Sequence, residues 1–280
     1  MAKENKDIDK IIDGFTLFDD ELMSRVFDGN IKATEYLLKT ILNRDDIRVK
    51  STKGEYVIKS SEVGGKGVRL DIKAEEINGK AFDVEVQKDS EGAHVRRARY
   101  NSSMIDSRML MENEDYKDMK DSYVIFIYRK DKFRRRLPVY HINRYVEETG
   151  KPFGDGSHII YVNGRYEGDD ELGRMLHDFK CTNAKDIYNN TLAEGIRYFK
   201  ETEEGREDMS DAVVKYGDKR EKNGEKRGEK RGEKRGERKT KLLVVKNLME
   251  TMTFTVEQAL DALKINEKKE REAIIKAVRG

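Results

Sequence analysis

Two carboxylates, Asp71 and Glu85, lie in segments whose alternating hydrophobicity is typical of β-strands. The segments are VRLDIKAEEI (68–77) and AFDVEVQ (81–87), and the Asn-Gly pair at 78–79 between them is a strong signal for a tight hairpin turn. Counting outward from the turn puts the two carboxylates on neighbouring strands, near the same end of the hairpin. The pattern therefore predicts a local pair of acidic side chains.

Carboxylates brought this close repel each other unless a proton or a cation lies between them. A hard divalent ion such as Mg²⁺ suits carboxylate oxygens and keeps some of its water ligands. It can polarise a phosphoryl oxygen and lower the pKa of a bound water, as hydrolysis of a phosphodiester requires. Gln87 projects from the same side of its strand as Glu85. The alternative is that these are ordinary polar residues on solvent-facing strand positions, with Asp83 one more on the same face.

The rest of the chain alternates between helical and strand patterns. The run SYVIFIY (122–128) is almost continuously apolar, as expected of a central strand covered on both faces. In the first hairpin strand, Val68, Leu70, Ile72 and Ala74 are expected on one face. Further strands are predicted at 55–60, 138–142 and 158–164, and helices at 17–42, 91–113, 169–180 and 184–202. This mixed order indicates an α/β or α+β domain with a mixed sheet.

The composition of the chain indicates the cellular compartment in which the protein functions. Of its 280 residues, 40% are charged and 36% are hydrophobic, which is polar but sufficient for a core. The single cysteine, Cys181, excludes an internal disulfide and fits a reducing compartment. The first residues lack the apolar segment of a signal peptide, and no apolar run approaches the roughly 18 residues that span a bilayer. These features predict a soluble, cytoplasmic protein without a membrane partner.

A basic segment separates two parts of the chain. Residues 215–241 hold 13 Lys or Arg and 6 Asp or Glu, whereas the whole chain has a net charge of only +2. Such a segment predicts an anionic partner or, alternatively, a solubilising exposed helix or linker. Its EKRG repeats favour a frayed, mobile helix or a linker, because each glycine costs a helix roughly 1 kcal/mol. We expect a main domain at 1–210, a charged linker or helix at 211–241 and a small helical tail at 242–280.

The predicted tail joins the apolar run LLVVKNLM (242–249) to a helical segment at 255–278, where Thr255 can cap a helix. The apolar positions of the tail need a surface to pack against. This need favours an element for homo-oligomerisation, and a helix-turn-helix-like unit is the alternative.

Asp71 followed by Asp83-Val84-Glu85-Val86-Gln87 resembles the PD-(D/E)XK nuclease motif, in the version found in the transposase-associated, recombination-promoting nuclease family. The resemblance covers roughly residues 15–210. Its further blocks are DDELMSRVFDGN (19–30), VRRARYNSSMIDSRML (95–110), GDGSHIIYVNGRYEGDDELGRMLHDFKC (154–181) and IRYFKETEEG (196–205). The resemblance implies a restriction-endonuclease-like core, with a mixed central β-sheet flanked by helices, to which the helical tail is an extension.

The resemblance also implies a role for each residue of the motif. Asp71 and Glu85 take the two acidic positions and would ligate Mg²⁺ or Mn²⁺. Gln87 stands where many relatives in the wider superfamily have Lys, and its neutral amide can orient water or phosphate only by hydrogen bonds. Asp20 matches an acidic position on the opening helix that would support a metal-bound water. An ordinary residue at a helix N-terminus is the alternative for Asp20.

Basic residues on the helix after the motif are candidates for DNA contact. They are Arg96, Arg97 and Arg99, together with Tyr100, which is four residues after Arg96 and shares its helix face. Guanidinium groups match the geometry of phosphate with paired hydrogen bonds. The alternative is a set of ion pairs within the helix or at the edge of the core. The basic loop RKDKFRRR (129–136) adds phosphate contacts or is only a solvated turn.

Two functions of different classes follow. The first is a Mg²⁺-dependent DNA endonuclease that hydrolyses phosphodiester bonds with a metal-activated water. The second is a non-catalytic nucleic-acid-binding or interaction protein that keeps the nuclease fold. RNA in place of DNA as the substrate is a third possibility.

Overall fold

The computed structural model describes residues 2–60, 64–88 and 92–279. The chain divides into two compact units, Met1–Val214 and Lys215–Gly280. Over the described ranges, no helix has both the length and the apolar character that a membrane crossing requires.

The first unit is built on one mixed β-sheet. Its strands are β1 (Val49–Ile58), β2 (Val68–Glu76), β3 (Ala81–Gln87), β4 (Ser122–Tyr128), β5 (Val139–Ile142) and β6 (Ser157–Asn163). Across the sheet they follow the order β1-β2-β3-β4-β6-β5. The central strands β3, β4 and β6 are parallel, whereas β1, β2 and β5 pair antiparallel with their neighbours. The prediction of an α/β domain with a mixed sheet is confirmed.

Helices cover both faces of this sheet. They are α1 (Ala2–Gly14), α2 (Asp20–Phe27), α3 (Ile31–Leu42), α4 (Val95–Asp106), α5 (Glu171–Asp178), α6 (Asn190–Glu201) and the start of α7 (Glu203–Met252). On one face, called here the major face, Ile72 and Val84 join the larger core cluster with α2, α3, α5 and α6. On the other, called the α4 face, Leu70 and Phe126 pack with Ala98 of α4.

The helix predicted at 17–42 is wrong as a single element, because the chain breaks it into α2 and α3. Gly29 adopts a left-handed φ of 67° between them. Its amide donates to the Thr52 carbonyl of β1 at 3.3 Å, outside any helix. Asn30 then caps α3 by accepting from the Ala33 amide at 3.1 Å. An N-cap side chain directly after a left-handed glycine starts a new helix rather than continuing the old one.

Other predicted boundaries also differ from the structure. The helix predicted at 91–113 is α4, which already ends at Asp106. The segment 184–202 holds a short 3₁₀ turn at Ala184–Asp186 before α6 starts. Strand β1 begins at Val49 instead of residue 55. Its early residues show no clean alternation, because its register against β2 shifts between Val49 and Ser51.

The second unit has a small core of its own. The later part of α7 packs with α8 (Val256–Ala262) and α9 (Lys268–Arg279) through Val245, Leu260 and Ile274. Thr255 caps α8 in a reciprocal capping box with Gln258, which confirms that predicted cap. The apolar positions of the tail thus find much of their packing surface within the unit, and homo-oligomerisation stays a prediction.

Candidate active site

The hairpin of β2 and β3 brings Asp71 and Glu85 together. Ile72 pairs with Val84 across the two strands, so Asp71 and Glu85 are the next residues outward on each side. The Val86 amide donates to Asp71 Oδ2 at 3.0 Å. A side chain therefore accepts a backbone hydrogen at the point where the strand ladder ends.

Strand β2 changes its packing at this point. Val68 and Leu70 belong to the cluster on the α4 face, whereas Ile72 and Ala74 belong to the cluster on the major face. The prediction that all four share one face is wrong. The register between β2 and β3 stops at Ile72, which coincides with the carboxylate of Asp71 binding the partner strand instead of continuing the ladder.

Gln87 connects the two carboxylates. Its Nε2 atom donates to Glu85 Oε2 at 3.1 Å and to Asp71 Oδ2 at 3.4 Å. One neutral amide therefore holds both acidic groups, at the carboxyl end of β3. A lysine at this place would add a positive charge between them, and the amide does not.

Helix α4 supplies a second layer of support. Arg97 forms an ion pair with Glu85 Oε2. Asn101, one helical turn later, donates from Nδ2 to Glu85 Oε1 at 3.0 Å and to Asp83 Oδ2 at 2.9 Å. Asn101 is not among the site residues predicted from the sequence. Its spacing of four residues from Arg97, on the same helix face, was the available signal.

Burial raises the pKa of each carboxyl group in this cluster. Asp83 and Glu85 are 0% exposed and Asp71 is 5% exposed, so the alternative of solvent-facing strand residues is wrong. Burial, followed by the charge of Asp83, raises the pKa of Glu85 to about 8. Burial also raises the pKa of Asp83 to about 8. The pKa of Asp71 lies well above its usual range because of burial and then the charge of Glu85.

Asp20 belongs to the same electrostatic cluster. It is the first residue of α2 and is half-buried. Its charge contributes to the raised pKa of both Asp71 and Glu85. The preceding residue, Asp19, is held by Thr16 and forms an ion pair with Lys88, the residue after Gln87. The start of α2 is thereby fixed beside the end of β3.

The family model described as PD-(D/E)XK nuclease family transposase matches residues 26–165. The chain belongs to this family. The matched range contains the whole sheet, α4 and the Asp71–Glu85–Gln87 group. The mixed six-stranded sheet flanked by helices is consistent with the restriction-endonuclease-like fold that the resemblance implied. No curated protein and no solved structure matches the chain significantly.

Membership of the PD-(D/E)XK nuclease family transposases supports a nuclease- or transposase-type function for this site. Of the four residues predicted to contact DNA, Arg97 lies inside the site against Glu85. Arg96 and Arg99 are exposed on α4. Tyr100 is 37% exposed, and its hydroxyl donates to the Lys66 carbonyl. The structure thus brings one of the four to the carboxylates and leaves the others at the surface.

The residues of the candidate site fit a hard divalent cation. Two buried carboxylates with raised pKa values would be stabilised in their charged forms by a cation between them. Within the ranges that the structure describes, three or more His, Cys, Asp or Glu side chains are nowhere gathered in a ligand cluster. A set of two carboxylates suits Mg²⁺ or Mn²⁺, which keep several water ligands, better than an ion that needs a full protein cage.

Proposed function

We propose that the chain is a metal-dependent DNA endonuclease of the transposase-associated PD-(D/E)XK type. The observation that carries the proposal is the buried pair of Asp71 and Glu85, bridged by Gln87, in a member of a nuclease family. Buried carboxylates with raised pKa values and a specific partner set are typical of functional sites.

Asp71 and Glu85 would hold Mg²⁺ or Mn²⁺, with Asp20 contributing through a bound water. When bound, the ion supplies charge stabilisation at the phosphoryl group and a water of lowered pKa. The Val86 amide and Asn101 keep the carboxylates oriented toward one another. Gln87 donates hydrogen bonds toward the same oxygens and can orient a water or a phosphate oxygen.

Arg97 would act on the substrate. Its side chain pairs with Glu85 and is 35% exposed, so the guanidinium lies at the boundary between the buried carboxylates and the surface. A phosphate that reaches Glu85 therefore meets a cation that can stabilise its charge. Arg96, Arg99 and Tyr100, further out on α4, would contact the flanking DNA backbone.

The test is cleavage of plasmid DNA by the purified full chain with Mg²⁺, with Mn²⁺ and with a chelator. The variants Asp71→Asn and Glu85→Gln keep the shape of each side chain and remove its charge. Each is expected to lower the cleavage rate by about 100-fold or more. Asp46→Asn, which alters an exposed carboxylate paired with Arg44, is the matched control. Cleavage that persists in both site variants would exclude the proposed centre.

One observation favours a second candidate, a DNA-binding protein that retains the fold without turnover. Gln87 adds no positive charge to the site, and the carboxylate of Glu85 already forms an ion pair with Arg97. This candidate expects DNA binding with no cleavage in any divalent metal. Replacing the plasmid by RNA in the same assay tests the third possibility.

A further inference from the structure

A cavity of about 790 Å³ opens at the carboxyl ends of β4 and β6. Its walls carry more positive than negative charge, with two acidic side chains against five cationic ones: Lys130, Lys132, Arg134, Arg136 and Arg165. The volume is that of a ligand-binding cleft rather than a packing defect. A surface of this charge predicts an anionic occupant.

The cavity lies at the same edge of the sheet as the candidate active site. Gln87, Tyr128 and Asn163 occupy one row across the parallel strands β3, β4 and β6. Tyr128 and Asn163 line the cavity, and Gln87 lies at the carboxylates. Tyr128 packs in the cluster of the α4 face, where Glu85 also meets Asn101. Ligands of open α/β sheets bind outside the carboxyl ends of the strands, which is where both features lie.

The loop that carries most of these cations is organised by its own hydrogen bonds. Asp131 accepts from the backbone amides of Phe133 at 3.1 Å, Arg134 at 2.9 Å and Arg136 at 2.7 Å. The Tyr140 hydroxyl donates to Asp131 at 2.8 Å. The negative charge of Asp131 is thus used inside the loop, while the arginine side chains stay exposed.

Two observations concern the cations of the cavity. Over the parts of the chain that the structure describes, Lys130, Arg134, Arg136 and Arg165 form no ion pair with another side chain. Arg134 and Arg136 also adopt left-handed φ values of 57° and 60°. Glycine or asparagine adopts this conformation at lower cost. Arginine is present at both positions despite that conformational cost, which indicates a functional role for the positive charge.

We propose that this cavity binds backbone phosphates of the DNA strand that enters the candidate active site, a placement that rests on the proposed function. Strands in a sheet lie about 4.8 Å apart, so the row from Gln87 to Asn163 spans about 10 Å. The charges of one DNA strand are spaced about 3.4 Å along the helix axis. The cavity therefore engages phosphates a few nucleotides from the one held at Asp71 and Glu85.

The test measures binding without cleavage. A fluorescein-labelled DNA duplex is titrated with the full chain in chelator, at salt concentrations from roughly 50 to 200 mM, and followed by fluorescence anisotropy. The test variant is Arg134→Gln with Arg136→Gln. The control is Lys32→Gln with Lys185→Gln, which removes the same charge from exposed positions of α3 and the 3₁₀ turn, elements that pack on the major face.

The test variant is expected to raise the dissociation constant about tenfold and to reduce the slope of log K against log salt by about 2, one for each lost phosphate contact. The control is expected to change the dissociation constant less than about twofold. Arg134→Lys with Arg136→Lys should restore most of the salt slope. Circular dichroism checks the fold, and Lys130→Gln with Arg165→Gln provides a second variant at cavity residues other than the two arginines whose amides bind Asp131.

Equal weakening by the test variant and the control would overturn the proposal, as would a wild-type chain that fails to bind the duplex. Displacement of the duplex by inorganic pyrophosphate at equal concentrations would also overturn it, because the cavity would then select a free phosphate. The measurement contains no divalent ion, so absence of cleavage leaves its outcome unchanged. If the test variant alone loses DNA binding and the wild-type chain never cuts DNA, the phosphate-binding cavity is supported and the proposed endonuclease activity is contradicted.

Discussion

Lys200 and Asp178 are buried as deeply as the carboxylates of the candidate site, yet the backbone satisfies them. Lys200 is 7% exposed, and its ammonium donates to the carbonyls of Asp13 at 2.9 Å, Phe15 at 2.6 Å and Thr182 at 2.7 Å. Asp178 is 0% exposed and accepts from two consecutive backbone amides at 2.8 and 3.0 Å. Both residues join separate segments of the first unit.

Glu85 of the candidate site is held in a different way. Glu85 is bound by the side chains of Gln87, Arg97 and Asn101, without a backbone donor among its hydrogen bonds. Asp83 Oδ1 has no hydrogen-bond partner among the residues described. Backbone groups cannot leave a charge without unfolding, whereas side chains can rotate away. The comparison indicates that Lys200 and Asp178 serve the fold, and that Glu85 keeps its oxygens available for a ligand.

The largest expected effect is on stability. Lys200→Met should lower the free energy of unfolding by about 3 kcal/mol or more, because three backbone carbonyls lose a charged donor that is itself buried. Urea unfolding followed by circular dichroism measures the change. Lys180→Met is the control, since Lys180 makes only an exposed ion pair with Glu167 and should lose less than about 1 kcal/mol. Equal losses of unfolding free energy in the two variants would contradict a structural role for Lys200.

Asn101→Ala should act on the site and not mainly on the fold. It removes the amide that orients Glu85 and Asp83, so the Mg²⁺ concentration for half-maximal cleavage should rise about 10- to 100-fold. The cleavage rate as a function of Mg²⁺ concentration measures this shift. Ser103→Ala, at an exposed position of the same helix, should leave the midpoint unchanged. A lower maximal rate at an unchanged midpoint would contradict a positioning role for Asn101.

Gln87→Lys should stabilise the metal-free protein by about 1 kcal/mol or more, because an ammonium would then lie between two buried carboxylates. The free energy of unfolding in chelator is the measurement. Gln87→Met removes the same hydrogen bonds without adding charge, and it should destabilise instead. A destabilised Gln87→Lys variant would show that the two carboxylates already share a proton or another compensating group.

The pH dependence of stability gives the smallest effect. Burial lowers the pKa of Lys200 to about 8 from its ordinary 10.5. Between these values the unfolded chain binds more protons than the folded chain, so the contribution of Lys200 to stability increases as the pH rises. The difference in unfolding free energy between wild type and Lys200→Met should widen by about 1 kcal/mol from pH 8 to pH 9.5. A difference that narrows over this range would contradict the lowered pKa.

The sequence could predict the parts of the site that depend on counting along strands. The hairpin turn at 78–79 fixes which residues lie at its far end, and the apolar run of β4 matches its predicted range. The burial of Asp83 could not be predicted, because alternation separates two faces without telling which one a helix covers. The contacts of Arg97 and Asn101 depend on how α4 docks, and that geometry arises from packing between distant segments.

The basic loop shows the same limit. RKDKFRRR is visibly cationic in the sequence, but its association with Asn163 and Arg165 depends on β6 lying beside β4. The polar start of β1 gave no alternation and was missed, since pairing with β2 alone defines it. Local patterns therefore predicted the elements and the carboxylate pair. The cavity and the contacts that support the site could be identified only from the three-dimensional structure.

The bonds that Asp131 forms with amides of the basic loop and with Tyr140 of β5 have a kinetic consequence. A flexible cationic loop would have to be ordered when DNA arrives, which costs roughly 1 to 2 kcal/mol for each residue that becomes fixed. This loop is already held in shape by its own backbone contacts. Association with DNA is therefore expected to be limited by diffusion and charge attraction, and its rate should fall steeply as salt is added.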